Sequence, residues 1–432
     1  MPMQTIRVRF ATNRNRVTGA ALFGNNFEGN DPKRYVTGSI DVERRSNLPD
    51  TGWSPLPGTL VIDPPTIPLV ANVGAPAAAA AGAPAGQTPA TGIIAFAKEQ
   101  SAAKTSATAA AAAMPSFGLV LLPGFASSFL DAMRRAAQIA SAYKAANVFC
   151  FSWPANGKVQ LDDYQADRVD AEKSGQAIAD ALAQFLATIS AMPAAQRPTI
   201  HVVCHSMGAF AFRAAVQAIG SSHPDLIQTR AFEGALLMAA DEDDDALSDP
   251  ARLGPLLALA RRTTAYTAGG DLALLVAQVV NGRPRMGHHG PRNLAGFPPT
   301  VTRIDCSDVA ATQGDSGETH FSHQYYRLAP RVIADVVQVI AGKPPNQVSG
   351  RLADPGGSAG GRAFILPFDS GAGTALAAAD PHPATVAALA RAKAGARGAK
   401  RAGKGAKAAK RSSGTKTAKR NAATKARRPG GG

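Results

Sequence analysis

The sequence predicts an α/β fold, a mostly parallel central sheet with helices on both faces, followed by a basic tail. Three observations predict it. Short runs rich in β-branched residues alternate along the chain with segments whose apolar residues recur every three or four positions, the pattern of strands feeding crossover helices. One such transition is abrupt: Ile200, Val202 and Val203 lead into Cys204-His205-Ser206-Met207-Gly208, and a helical pattern starts at once with Phe210, Ala211, Ala214, Ala215 and Ile219. Finally, residues 381–432 hold fifteen Lys/Arg and no Asp/Glu. Without them 31 basic residues face 31 acidic ones, so the net charge of +15 belongs to the tail alone.

In chain order, Ile6, Val8 and Phe10 alternate with Arg7 and Arg9, the period of a half-buried strand. Residues 35–42 and 59–62 read as further strands between Gly, Asn, Asp and Pro. Residues 74–115 are mostly Ala, Gly, Pro, Ser and Thr, with little bulky apolar material except at 93–96. They read as a low-complexity insertion, flexible or transiently helical. From Phe117 the pattern is regular. A buried strand over 118–122 ends in Pro123-Gly124-Phe125-Ala126-Ser127-Ser128, and Phe129, Met133, Ala136, Ala140 and Tyr143 then mark one helix face. A strand over 147–153 is followed by a long loop and by a helix carrying Ile178, Leu182, Phe185, Leu186 and Ile189. After the Ser206 turn, strands are expected at 234–239, 263–267 and 301–306, and Pro330 opens a last helix. The expected organisation is a domain over 1–345, an irregular extension over 346–380 and a tail over 381–432.

At 45% hydrophobic residues, 432 residues suffice for a sizeable core. Cys150, Cys204 and Cys306 lie singly in apolar segments and read as reduced core thiols. The first residues lack the apolar stretch of a signal peptide, and no run of 18 apolar residues occurs, so a cytoplasmic protein is expected. No glycine-rich nucleotide loop and no paired Cys/His spacing occurs, so neither cofactor nor metal is implied.

A serine at a sharp strand-to-helix turn has its hydroxyl exposed at the end of a buried strand, with the amides of the next helix behind it. Such a turn needs small flanking residues. Gly208 supplies one; Cys204 stands where glycine is usual. Acyl transfer needs a base for the serine and a carboxylate to orient the base. Asp271 follows the strand at 263–267, and His320 and His323 precede the last helix, each beyond the carboxyl end of a later strand, where a parallel sheet gathers its chemistry. Asp241, the first of five acids at the end of the 234–239 strand, is the rival carboxylate; the acidic run itself reads as a solvated loop. His205 reads as structural, because it is adjacent to Ser206 and points away from it. His288 and His289, with Arg283, Arg285 and Arg292, read as an ordinary solvated loop that could line the site mouth and attract an anion.

Several strings resemble the uncharacterised esterase/lipase-like branch of the α/β-hydrolases, whose members open with Ala-Thr-Asn-Arg. They are Ala11-Thr12-Asn13-Arg14, Gly124-Phe125 with Phe129 and Arg134-Arg135-Ala136-Ala137-Gln138, Phe151-Ser152-Trp153-Pro154, His205-Ser206-Met207-Gly208, Asp271-Leu272-Ala273-Leu274 and His323-Gln324-Tyr325-Tyr326. The resemblance covers roughly residues 5–345 outside the insertion. It implies an α/β-hydrolase with Ser206, Asp271 and His323 as triad, His323 being preferred over His320 on the His-x-Tyr-Tyr pattern. It also implies Phe125 and Met207 as backbone oxyanion donors, although Pro123 stands where the branch usually has histidine. The expected substrate is a small-molecule or lipid ester. The competing expectation is a non-catalytic member that keeps the fold as a binding or scaffold module. For residues 385–432, which lack aromatics and acids, the expected partner is nucleic acid or another polyanion bound without regard to sequence.

Overall fold

The computed structural model describes residues 4–46, 52–63, 96–102, 117–310, 323–355 and 361–367. The predicted tail over 381–432, His320 and most of the 74–115 segment lie outside the described residues. By their contacts the described residues divide into two units, residues 4–275 with 283–367, and residues 276–282. The first carries every described strand. The second is the end of one helix.

The strands are β1 (Thr5–Thr12), β2 (Arg14–Arg16), β3 (Phe23–Phe27), β4 (Val36–Arg44), β5 (Trp53–Pro55), β6 (Val61–Ile62), β7 (Phe117–Leu122), β8 (Asn147–Ser152), β9 (Thr199–His205), β10 (Gly234–Met238), β11 (Thr263–Thr267), β12 (Val301–Asp305), β13 (Leu352–Ala353) and β14 (Ala363–Ile365). The longer helices are α1 (Phe129–Tyr143), α2 (Leu161–Lys173), α3 (Gly175–Ala191), α4 (Met207–Ser222), α5 (Leu272–Asn281) and α6 (Pro330–Ile340). The main sheet runs β13-β14-β12-β11-β10-β9-β7-β8-β1-β4-β5, with β6 on β4. From β1 through β14 its pairs are parallel; β4, β5, β6 and β13 add antiparallel edges. β2 and β3 form a separate hairpin-like pair.

Successive residues of a strand face opposite sides of a sheet, and the central strands are apolar on both. Val120, Leu122, Val202, Cys204 and Leu237 join a core with Ile178, Leu182 and Phe185 of α3 and Phe212 and Val216 of α4. Leu119, Leu121, Val203, Leu236 and Met238 join a second core with Phe129 and Met133 of α1 and Val332 and Val336 of α6. Helices therefore cover both faces, which is why the buried parallel strands read as continuous apolar runs.

Four readings are corrected. The expected long loop after β8 contains α2, a helix polar all round whose buried residues are Asp167 and Ala171. Within the predicted insertion, residues 96–102 are helical, and Phe96 is fully buried with its ring 6.0 Å from Phe149 and 5.9 Å from Phe185. The predicted irregular extension contributes β13 and β14, and β14 extends the parallel sheet beside β12. In the 59–62 segment only Val61–Ile62 is strand; Pro57–Thr59 is a single 3-10 turn.

Candidate active site

β9 lies between β7 and β10, and Ser206 follows its last residue. The serine has φ 54° and ψ −126°, a conformation that a residue with a Cβ adopts only where its surroundings enforce it. Three hydrogen bonds do so: the Ser206 amide donates to Met238 O (2.9 Å), and its carbonyl accepts from Ala209 N (3.0 Å) and Asp241 N (3.0 Å). Glycines allow the close packing. A Cβ on Gly208 would collide with Leu122 O and lie 2.8 Å from Pro123 O, and one on Gly124 would lie 2.8 Å from Ser206 Cβ. Ser206 is the N-cap residue of α4, yet its side chain makes no capping hydrogen bond. The hydroxyl is not engaged as an ordinary helix cap.

Asp271 sits between β11 and α5 and is fully buried. Its Oδ1 accepts from Leu274 N (3.1 Å), and its Oδ2 lies 2.6 Å from His323 Nδ1. The segment bearing His323 is anchored to α1 and β11: Tyr143 donates to Tyr326 O (2.6 Å), Tyr325 to Tyr266 O (2.9 Å), and Arg327 bridges Gln138 (3.1 Å) and Gln324 (2.9 Å). His205, beside Ser206, donates from Nε2 to the His323 carbonyl (3.1 Å), and the two rings are 4.7 Å apart. Burial pushes His205 well below the usual imidazole range, so it is the neutral tautomer that donates. Thus the structure brings the His323–Asp271 pair against the neighbour of Ser206.

The loop after β7 lies against the same turn through Gly124. Phe125 packs its ring 5.5 Å from Tyr164 of α2, and Ala126 has φ 54°. Met207 is the first residue of α4, where backbone amides have no intrahelical acceptor. Pro123 contributes through its carbonyl, which accepts from Trp153 Nε1 (2.9 Å).

The acidic run is not a solvated loop. Asp241, Glu242, Asp243 and Asp244 are all buried. Asp241 accepts from Tyr164 (2.6 Å) and pairs with Arg285 (3.4 Å), which also binds Asp243 and is completely buried. Arg252 joins Asp243 (2.9 Å) and Asp245 (2.6 Å), Arg292 joins Asp244 (2.7 Å), and Arg283 joins Asp245 (3.0 Å). The arginines read as a solvated loop are therefore paired to this run. His288 is buried too, with Nδ1 2.7 Å from His289 Nε2. Asp241 and Asp271 are thus separated by role: one holds arginines and a tyrosine, the other holds His323.

Among the described residues no three His, Cys, Asp or Glu side chains are grouped as metal ligands would be, and no helix is long and apolar enough to cross a membrane.

No curated protein and no solved structure matches the chain. The family described as alpha/beta hydrolase of unknown function (DUF900) matches residues 112–342, from just before β7 to just beyond α6. That segment contains Ser206, Asp271, His323 and the Gly124-Phe125 loop and covers more than half of the sequence, so the chain belongs to this family of α/β-hydrolases.

Proposed function

We propose that this chain is a serine hydrolase that cleaves a carboxylic ester through an acyl-enzyme. The observation that carries the reading is an uncapped serine in a strained turn at the end of a central strand, with a buried His–Asp pair held against its neighbour. In this reading Asp271 keeps the proton of His323 on Nδ1, which leaves Nε2 to take the proton of Ser206 as its Oγ attacks the ester carbonyl carbon. The amides of Phe125 and Met207, helped by the N-terminal end of α4, receive the negative charge of the tetrahedral oxygen. His323 then protonates the departing alcohol. Water, deprotonated by the same nitrogen, attacks the acyl carbon and releases the acid and Ser206. A small-molecule or lipid ester fits this chemistry.

A fluorophosphonate probe tests it: the unmodified chain should be labelled covalently and Ser206→Ala should not. A folded chain that resists the probe across neutral and alkaline pH would instead be a non-catalytic member that keeps the fold as a binding module.

Two further readings rest on composition and cysteine state. Residues 385–432 bind nucleic acid or a similar polyanion through charge alone, supported by a segment with no acid and no aromatic residue. Three buried, unpaired cysteines support a reducing compartment, the cytoplasm.

A further inference from the structure

The Ala11-Thr12-Asn13-Arg14 string takes no part in the chemistry above, yet its arginine is 1% exposed. The guanidinium is enclosed by oxygen atoms. Nη2 donates to Ser127 O (2.5 Å), Nη1 to Gly24 O (2.9 Å), Ala155 O (3.1 Å) and Asn25 Oδ1 (3.2 Å), and Nε to Ser152 Oγ (3.0 Å). Thr12 adds a bond to Ser152 O (2.6 Å). A second buried charge approaches the same loop from α2. Asp167 accepts from Ala126 N at Oδ2 (3.2 Å) and from Asn156 N at Oδ1 (2.8 Å).

The peptide between Phe125 and Ala126 is therefore held from several directions. Its N–H points to Asp167, its carbonyl accepts from Ser127 Oγ (3.4 Å), and the next carbonyl but one is gripped by Arg14. Tyr164 lies three residues before Asp167, hence on the same face of α2, and its ring backs that of Phe125. Ala126 needs this support, because a left-handed alanine is strained. Burial of both charges is costly, and neither serves the apolar core. It raises Asp167 to about 6, with the amides of Asn156 and Ala126 and the charge of Arg14 drawing it back down.

We propose that Arg14 and Asp167 are positioning residues for the oxyanion hole, fixing the Phe125–Ala126 peptide so that the preceding amide, the Phe125 N–H, faces the developing oxyanion. The inference rests on the serine-hydrolase reading. It assigns the N-terminal string a task in the transition state that neither binds substrate nor moves a proton.

The test uses the full chain, p-nitrophenyl butyrate as substrate and butylboronic acid as inhibitor, since the boronate forms a tetrahedral anion on the serine. Active sites are titrated with the fluorophosphonate, so kcat is expressed per competent site. Asp167→Asn and Arg14→Lys should each keep KM within about threefold. Each should lose kcat per site by roughly 10- to 100-fold, below the full loss of one oxyanion donor, and boronate affinity by a similar factor. A merely structural role would lower the titratable fraction and leave kcat per site and boronate affinity unchanged, and that result overturns the proposal. If one variant fails to fold, the other decides the question by itself. A wild-type chain that the probe does not label overturns the hydrolase reading and this one with it; a labelled wild type with unaffected variants overturns the positioning role alone.

Discussion

His323 Nδ1 lies 2.6 Å from Asp271 Oδ2, and the other oxygen of that carboxylate takes the Leu274 amide, so both oxygens of a fully buried acid are committed. If this pair orients the base, Asp271→Asn leaves the fold intact and lowers kcat by about 10⁴, the scale of a mis-set imidazole tautomer. Asp241→Asn behaves differently. It weakens the hold on Arg285 and Tyr164, lowering the unfolding midpoint, while kcat per titrated site stays within about tenfold. Reversal of the two outcomes in parallel kinetic and melting measurements would move the orienting acid to β10.

The turn at Ser206 offers a contrast between two glycines of one helix. Gly208→Ala forces a methyl group into the backbone of Leu122 and Pro123, which cannot yield without parting β7 from the Ser206 turn. It should cost about 1–3 kcal/mol or more and abolish fluorophosphonate labelling. Gly220 has nothing within 4 Å of the same added atom, so Gly220→Ala should be neutral or stabilise by up to about 1 kcal/mol. Denaturant titration of both variants decides it, and equal effects would contradict the packing described.

Asp167 gives stability a pH dependence of unusual sign for an aspartate. Its folded value is raised from 3.8 to about 6, so across that window the folded chain holds a proton that the unfolded chain has released. The contribution of this group is therefore largest at and below the lower end and declines as pH rises through about 6. Asp167→Asn lacks it. The melting temperature of wild type minus that of the variant should fall between pH 5 and pH 7; a constant difference would show that Asp167 does not titrate there.

For the basic tail, the expectation is electrostatic. If about half of its fifteen charges meet duplex phosphates, log K should fall with log salt at a slope of roughly −6 to −7. Truncation after residue 380 should remove that binding and spare ester hydrolysis. Equal DNA affinity of the two chains, or a flat salt response, would rule out a polyanion-binding arm.

The Ser206 turn is legible in the sequence because a β-branched run, a small-residue turn and a helical period meet within twelve residues, and β11 coincides with the run expected at 263–267. α2 is not legible, since hydrophobic periodicity locates a helix only when it buries an apolar stripe. This one buries an aspartate; its only local signals are Asp162 and Asp163 in the first turn and Lys173 in the last. The acidic run misleads for a related reason. Arg285, 44 residues from Asp241, together with Arg252, Arg283 and Arg292, turns a cluster that looks repulsive in one dimension into a paired, largely buried network in three. β13 and β14 are two and three residues long, too short for any period to show.

The segment by which this chain is recognised, residues 112–342, begins after β1 has ended. β1 is the parallel partner of β8 from Val8 opposite Val148 to Thr12 opposite Ser152, and it separates that strand from β4. A fragment cut to the recognised boundaries would keep Ser206, Asp271 and His323 but leave Val148, Phe149, Cys150 and Phe151 as a bare, apolar strand edge, a template for pairing with other chains. Such a fragment should aggregate on expression. The boundary of kinship and the boundary of the piece that can stand alone in water are different lines on this chain.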